Sequence, residues 1–450
     1  MLIFYFLSPK RLKNSVLLLS SLFFYAWGEP GYVLLMLFAI LCGYVSGLLI
    51  EKYRGRRPAK LFLILSLLLS AGILGFFKYA DFFFENFNAV TGLSVPLLKI
   101  ALPIGISFYT FQLISYTVDV YRGGAAQKNF IDLAAYISLF PQLIAGPIVR
   151  YSQISEQLVS RRCGFEKAAQ GIRRFVLGLG KKVLLANALG QLCELFRSSQ
   201  DKSVLFFWLY AAANMLHIYF DFSGYSDMAI GLGRIFGFDF PENFNYPYIS
   251  RSITEFWRRW HISLGSWFRD YVYIPMGGNR VSKPRWFFNL LVVWLLTGFW
   301  HGAAWSFILW GLFFAAFLIF EKLWFFKHLE GRALLSRVYV LLVVAVSFVL
   351  FSAGDVSEAL SQLGAMFGLS GLPLVSAESV YYMKSYAPVL VLAVFGSTPL
   401  PKRLLARAAQ SPKGERLLNL AEPAALVLVL ALCTAYLVDG SFNPFLYFRF

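Results

Sequence analysis

The sequence predicts an all-α, polytopic membrane protein. Two observations carry that prediction. Apolar runs of roughly bilayer length recur along the chain, and charge is scarce, with 58% of residues hydrophobic and only 14% charged. A soluble chain carries about 25% charged residues and does not string apolar runs of about 20 end to end. A third observation is where the charge falls. The net charge of +17 would suggest nucleic acid in a soluble protein, but the basic residues lie between the apolar runs and no nucleic-acid motif accompanies them. They read as cytoplasmic loops under the positive-inside rule, so the expected partner is the lipid bilayer. With no repeat, linker or soluble domain in view, residues 1–450 read as a single integral-membrane domain at the inner or plasma membrane.

In chain order, Lys10, Arg11 and Lys13 precede a run over Ser15–Trp27. Tyr32–Ile50 follows and ends in Lys52, Arg54, Arg56, Arg57 and Lys60. Leu61–Phe77 leads to an aromatic stretch with Asp81 and Glu85, and Ile100–Val118 returns to Arg122 and Lys128. Placing the basic patches inside makes these runs alternate. Ile131–Val149 contains FPQLIAGP and is expected to be broken or re-entrant, which is tolerated only where protein buries it. Arg150 to Lys182 is basic and reads as cytoplasmic surface, and Val183–Leu195 with Val204–Phe222 supplies an out-and-back pair. After Trp286–Trp310 come Phe307–Phe320, a basic loop with Lys322, Lys327, Arg332 and Arg337, and Val338–Phe351. An acidic-leaning loop with Asp355, Glu358 and Glu378 is placed outside. Tyr386–Phe395, the basic stretch Lys402–Arg416, Ala424–Val438 and the tail SFNPFLYFRF complete the chain.

The four cysteines stand singly, without C-x-x-C spacing, and no metal site is expected. The opening MLIFYFLSPKRLKN is too short to span and lacks the order of a cleavable signal.

Two stretches carry candidate chemistry. WFFNLLVVWLLTGFWHGAAWSFILW is long enough to cross a bilayer and holds one histidine, His301, near its middle. An ionisable side chain at membrane depth costs a few kcal/mol on insertion scales and usually marks a pathway or a site. Gly298 and Gly302 bracket it. The competing bland reading is a packing histidine bonded to a neighbouring helix. In the second stretch, Ser250–Pro275, Ser252 and Glu255 have capping-box spacing, so a helix is expected to start there. Ile253, Phe256, Trp260, Leu264, Trp267 and Tyr271 fall on one face, with Arg258, Arg259 and Arg269 elsewhere, as in an interfacial helix. His261 lies one position off that face, where a snorkelling surface histidine is the plain alternative. Pro247 predicts an extended Tyr246. Upstream, Asp221 and Asp227 need counterions, for which Arg234 or Arg258 are suggested. Gly231-Leu232-Gly233 is half a dinucleotide fingerprint without its third glycine or a strand, and Ser223 lies in no G-x-S-x-G elbow.

IYFDFSGYSDMAIGLG, PENFNYPYISRSITEFWRRWHISLGSWFRDYVYIPMGGNR and LLTGFWHGAAW resemble the membrane-bound O-acyltransferase family, in its bacterial alginate O-acetyltransferase branch. SLFFYAWGEP, PIGISFYTFQLISYTVDVYRG and FPQLIAGPIVRY extend the likeness over most of the first 320 residues. Beyond them only hydropathy and the Phe-Arg-Phe ending are similar. The resemblance implies a multi-helix bundle with broken helices around a central tunnel. It implies a catalytic histidine in the buried G-x-W-H-G motif, which is His301 here, and a second active-site residue in W-R-R-W-H-I-S, which is His261. Relatives are expected to begin with a longer first helix than this chain does.

The implied reaction moves an acetyl group from a cytoplasmic thioester to an exported, alginate-like polysaccharide. Acetyl-CoA or an acyl-carrier thioester is the donor substrate, no cofactor is tightly bound, and a separate extracytoplasmic acetyltransferase partner finishes the transfer. His301 is the expected general base, since a neutral imidazole can take a hydroxyl proton near neutral pH. His261 is expected to orient the donor or stabilise the oxyanion. No cysteine lies in either motif, which disfavours an acyl-cysteine and leaves an acyl-histidine open. Two alternatives stand beside this reading: D-alanyl transfer from a carrier protein to teichoic acid, and a transporter or scaffold. Transporters often show paired halves, which are not found here. The two histidines are expected to line one channel, within roughly 15 Å of each other, about ten helical residues. That requires the amphipathic helix to dip inward, or the Trp286–Trp310 run to be tilted or broken at Gly298.

Overall fold

Long apolar runs fold as helices because a backbone in hydrocarbon must satisfy its own N–H and C=O groups. The computed structural model describes residues 1–325 and 331–439, and no strand occurs among the described residues. Seven of the described helices are long and apolar enough to cross a membrane, or eight if the bent pair Ala387–Gly396 and Leu400–Ala408 is one span. The chain is an all-α, multi-pass membrane protein. Lys327 of the expected basic loop and the SFNPFLYFRF tail lie outside the described residues.

The described chain groups into two compact units. The first takes in Met1–Gly171, Ala229–Pro241 and Arg269–Tyr271. The expected span Leu61–Phe77 is the middle of a 35-residue helix, Arg57–Thr91, that runs on through the aromatic stretch. Ser15–Trp27 and Ile100–Val118 were expected to cross, yet they give helices of 16 residues each, Lys13–Gly28 and Ile106–Tyr121. At about 1.5 Å per residue, each is shorter than a hydrocarbon core about 30 Å thick. The second starts late because Pro96 and Pro103 hold the preceding residues away from helix, and Gly105 enters the first turn at a left-handed φ of 73°. The proline-bearing Ile131–Val149 is broken as expected, into Phe130–Ser138 and Phe140–Leu143 around a non-helical Leu139.

The second unit comprises Ile172–Met228, Glu242–Phe268 and the chain from Val272 onward. It carries both candidate histidines. The basic stretch read as loop surface is instead largely helical, and Val183–Leu195 is the far part of a helix of bilayer length, Phe165–Ser198. A π-helical turn spans Lys181–Ala186 inside it. Charge pairing with the 32-residue helix Val204–Ile235 is what hides this helix from a hydropathy reading. Lys181 Nζ lies 2.6 Å and an Arg174 guanidinium nitrogen 2.7 Å from the Asp227 carboxylate, and Lys182 pairs with the fully buried Asp221. These residues, not Arg234 or Arg258, are the counterions.

Candidate functional site

Trp286–Trp310 does not cross as one helix. Lys283–His301 is helical, Gly302 is extended, and the chain turns back as Trp305–Phe320. His301, expected mid-helix, is therefore a helix's last residue, and the break falls at Gly302 rather than Gly298. Three glycines explain the hairpin. A Cβ on Gly298 would run into the Phe307 carbonyl oxygen, one on Gly311 into that of Trp294, and one on Gly302 into the Phe307 ring. Small residues at these crossings let the two backbones touch, as in other membrane helix pairs. The His301 ring ends up buried among Trp300, Trp310 and Phe351, with centroid distances of 5.0, 5.1 and 5.3 Å.

The expected amphipathic helix is also two pieces, Ile253–Arg259 and Ile262–Phe268. The capping box does start the first, where Ser252 Oγ accepts from the Glu255 amide at 2.9 Å. The Glu321 carboxylate, from the end of the hairpin, adds a second cap on the Ile253 amide at 2.6 Å. Trp257 ties the piece down, its ring 4.7 Å from Trp294 and 4.8 Å from Phe314. The break comes from competing backbone partners. The Ile262 amide donates to the Asn243 carbonyl at 3.0 Å, and the Arg259 carbonyl accepts from the Asn245 amide at 2.9 Å. The apolar rhythm still picks the buried face: Ile253, Phe256, Trp260, Leu264 and Trp267 are all buried.

His261 sits in the break at a left-handed φ of 43°, 1% exposed, and so is not a snorkelling surface residue. A non-glycine residue in that region costs of order 1–3 kcal/mol and persists only where its surroundings hold it. Tyr246 is similar, with φ 47°. Pro247 does keep Tyr246 out of the right-handed helical region, but it turns left-handed rather than extended.

What holds His261 is polar. Its Nδ1 lies 3.1 Å from Asn243 Oδ1, which also accepts from the Ser263 amide at 3.3 Å and Ser263 Oγ at 2.9 Å. Asn243 Nδ2 in turn donates to Ser226 Oγ at 3.0 Å. The Phe222 ring stacks edge-on to the imidazole at 4.7 Å. Burial pulls the His261 pKa down to about 3, so the ring is neutral at physiological pH.

Trp300 brings the two histidines together, its ring 6.1 Å from the His261 centroid and 5.0 Å from that of His301. They belong to one aromatic cluster, well inside the roughly 15 Å expected of a shared cavity. Asp221 and Asp227 are engaged by the ion pairs of the neighbouring helix instead. Sequence reasoning passed over Asn243 and Ser226. The available signal was an amide side chain in NFNYPY, a short polar insertion between buried aromatic runs.

A family model described as MBOAT, membrane-bound O-acyltransferase family, matches residues 121–356. Probable alginate O-acetylase AlgI of Azotobacter vinelandii is 39% identical, covering 99% of this chain and 96% of that protein. Peptidoglycan O-acetyltransferase of Helicobacter pylori is 35% identical over 82% of this chain and 77% of its own length. Teichoic acid D-alanyltransferase of Bacillus subtilis is 31% identical over 49% of this chain and 60% of its own.

Proposed function

This chain belongs to the membrane-bound O-acyltransferase family and is an O-acyltransferase, and we propose that it acetylates hydroxyls of an exported polysaccharide of the alginate kind. The observation that carries this reading is the near-full-length likeness to alginate O-acetylases, spanning both histidine-bearing stretches. D-alanyl transfer to teichoic acid is the lesser reading, since that likeness covers only about half the chain. The permeation reading gives way to the enzyme.

In this account acetyl enters as a thioester on the cytoplasmic side, from acetyl-CoA or an acyl-carrier protein, with no tightly bound cofactor. An acceptor hydroxyl attacks the thioester carbonyl while His301 takes its proton. The tetrahedral intermediate collapses with expulsion of a thiolate, a good leaving group that needs no strong general acid. The rings around His301 keep water from the activated acyl group and strengthen local electrostatics. Donor and acceptor approach through opposite mouths of one channel across the inner or plasma membrane. A separate extracytoplasmic acetyltransferase finishes the transfer.

The test is direct. Purified protein in lipid nanodiscs should release free CoA from acetyl-CoA in step with acetylation of a mannuronate oligomer. An acyl-carrier thioester should be run in parallel. Acylation by D-alanyl carrier alone would reverse the ranking of the two readings, and release of thiol from neither donor would overturn both.

A further inference from the structure

The geometry assigns Asn243 as the residue that sets the tautomer of His261, making His261 Nε2 a buried hydrogen-bond acceptor for an O–H or N–H group of a bound substrate. The inference deepens the acyl-transfer reading and rests on it only for what that group belongs to.

The orientation of the Asn243 amide comes first. The Ser263 backbone N–H points at one end of it, 3.3 Å away, and a main-chain N–H can only donate. That end is therefore the carbonyl oxygen, and the Nδ2 end donates to Ser226 Oγ at 3.0 Å. His261 Nδ1, 3.1 Å from the same oxygen, must then carry the proton, because two lone pairs at that distance repel. The competing arrangement has Ser263 Oγ donating to a bare Nδ1. It uses a longer contact, 3.4 Å, forfeits the 2.9 Å bond from Ser263 Oγ to Asn243, and leaves the facing oxygen repelled. With the proton on Nδ1, Nε2 holds an in-plane lone pair.

Nε2 is buried, and among the described residues nothing hydrogen-bonds to it. A buried polar atom left unsatisfied costs about 1–3 kcal/mol, and native proteins keep such atoms where a ligand completes them. The strained φ of His261 is a second cost at the same residue. Both fall in the cluster that joins His261 to His301 through Trp300.

This assignment has a chemical consequence. A neutral imidazole protonated on Nδ1 cannot donate from Nε2, so His261 does not stabilise an oxyanion. Instead it accepts, and two donors are available: the acceptor sugar's hydroxyl, or an amide N–H in the thiol arm of the acyl donor. Asn243 touches neither and is a positioning residue.

The tautomer is read without any activity assay. Selective ¹⁵N-histidine labelling of the protein in lipid, with four histidines in the chain and a His261→Gln variant to assign the signal, should show a bare Nε2 and a protonated Nδ1. Asn243→Leu should lose that pattern, and Asn243→Asp, which keeps the acceptor, should restore it. A protonated Nε2 in the wild type, or an unchanged pattern in Asn243→Leu, overturns the assignment whether or not the chain is an acetyltransferase. Kinetics then identify the ligand. Asn243→Leu should lower transfer about 10²-fold, the scale of a misplaced acid–base group, and Asn243→Asp should recover most of it. A raised KM for acetyl-CoA in its hydrolysis points to the donor arm, whereas unchanged hydrolysis with lost transfer points to the sugar hydroxyl. Full transfer by a folded Asn243→Leu variant that has lost the tautomer would refute a substrate role for Nε2.

Discussion

The surroundings of His301 and of His261 are built from opposite materials. His301 ends a helix and is walled by Trp300, Trp310 and Phe351, with glycines setting how closely its hairpin folds. His261 interrupts a helix and is held by an amide, two serines and a strained backbone. Apolar walls fix a ring's place while leaving its protonation to the reaction, as suits a group that must gain and lose a proton. A hydrogen-bonded network fixes the protonation as well, as suits a group that must only accept.

That contrast can be broken or sharpened by mutation. The largest effect should come from His301→Ala, which removes the proposed base and should cut acyl transfer by about 10²–10⁴-fold while the protein still inserts and folds. Near-wild-type acetylation by a folded variant would remove His301 from the chemistry. Next is Trp300→Ala, which deletes the ring between the two histidines and should cost about 3–5 kcal/mol by large-to-small truncation. Thermal unfolding in detergent measures it, and a loss well under 1 kcal/mol would mean that Trp300 joins nothing. Gly302→Val should act on the His301 side alone. By pushing Phe307, and through it Phe351 at 5.0 Å, it should cost about 1–3 kcal/mol as overpacking and lower turnover. The His261 tautomer signal should not move in this variant. Ser226→Ala is the smallest, removing one hydrogen bond from Asn243 for about 0.5–1.5 kcal/mol. Turnover should fall a few-fold, and a drop as large as that of His301→Ala would show that the polar side does more than orient.

The sequence made some of this legible and hid the rest for physical reasons. Ser252 with Glu255 announced a helix start because capping is local chemistry, and the prolines of FPQLIAGP announced a broken segment for the same reason. The buried face from Ile253 to Trp267 could be read because the 3–4 rhythm survives an interruption. That same survival concealed the interruption, which depends on Asn243 and Asn245 competing for backbone partners. The end of the helix at His301 was invisible too. Gly-Ala-Ala is apolar enough to continue a span, and only the fit of Gly302 beneath Phe307 turns it into a hairpin. Arg234 and Arg258 looked like counterions because they are near in sequence, whereas Lys181 and Lys182 reach Asp227 and Asp221 from another helix. Pairing across such distances leaves no local pattern.

The π-helical turn over Lys181–Ala186 makes the segment around it intolerant of length change. In a regular α-helix, neighbouring residues point about 100° apart, so two consecutive lysines do not readily serve aspartates on one facing helix. The wide turn lets Lys181 meet Asp227 and Lys182 meet Asp221 by accommodating an extra residue. Removing any one residue there would restore ordinary winding and rotate everything downstream by about 100°. Leu189, Leu192, Cys193 and Phe196 would then swing out of the core they now fill. Point substitutions are available to this segment, but insertions and deletions are not.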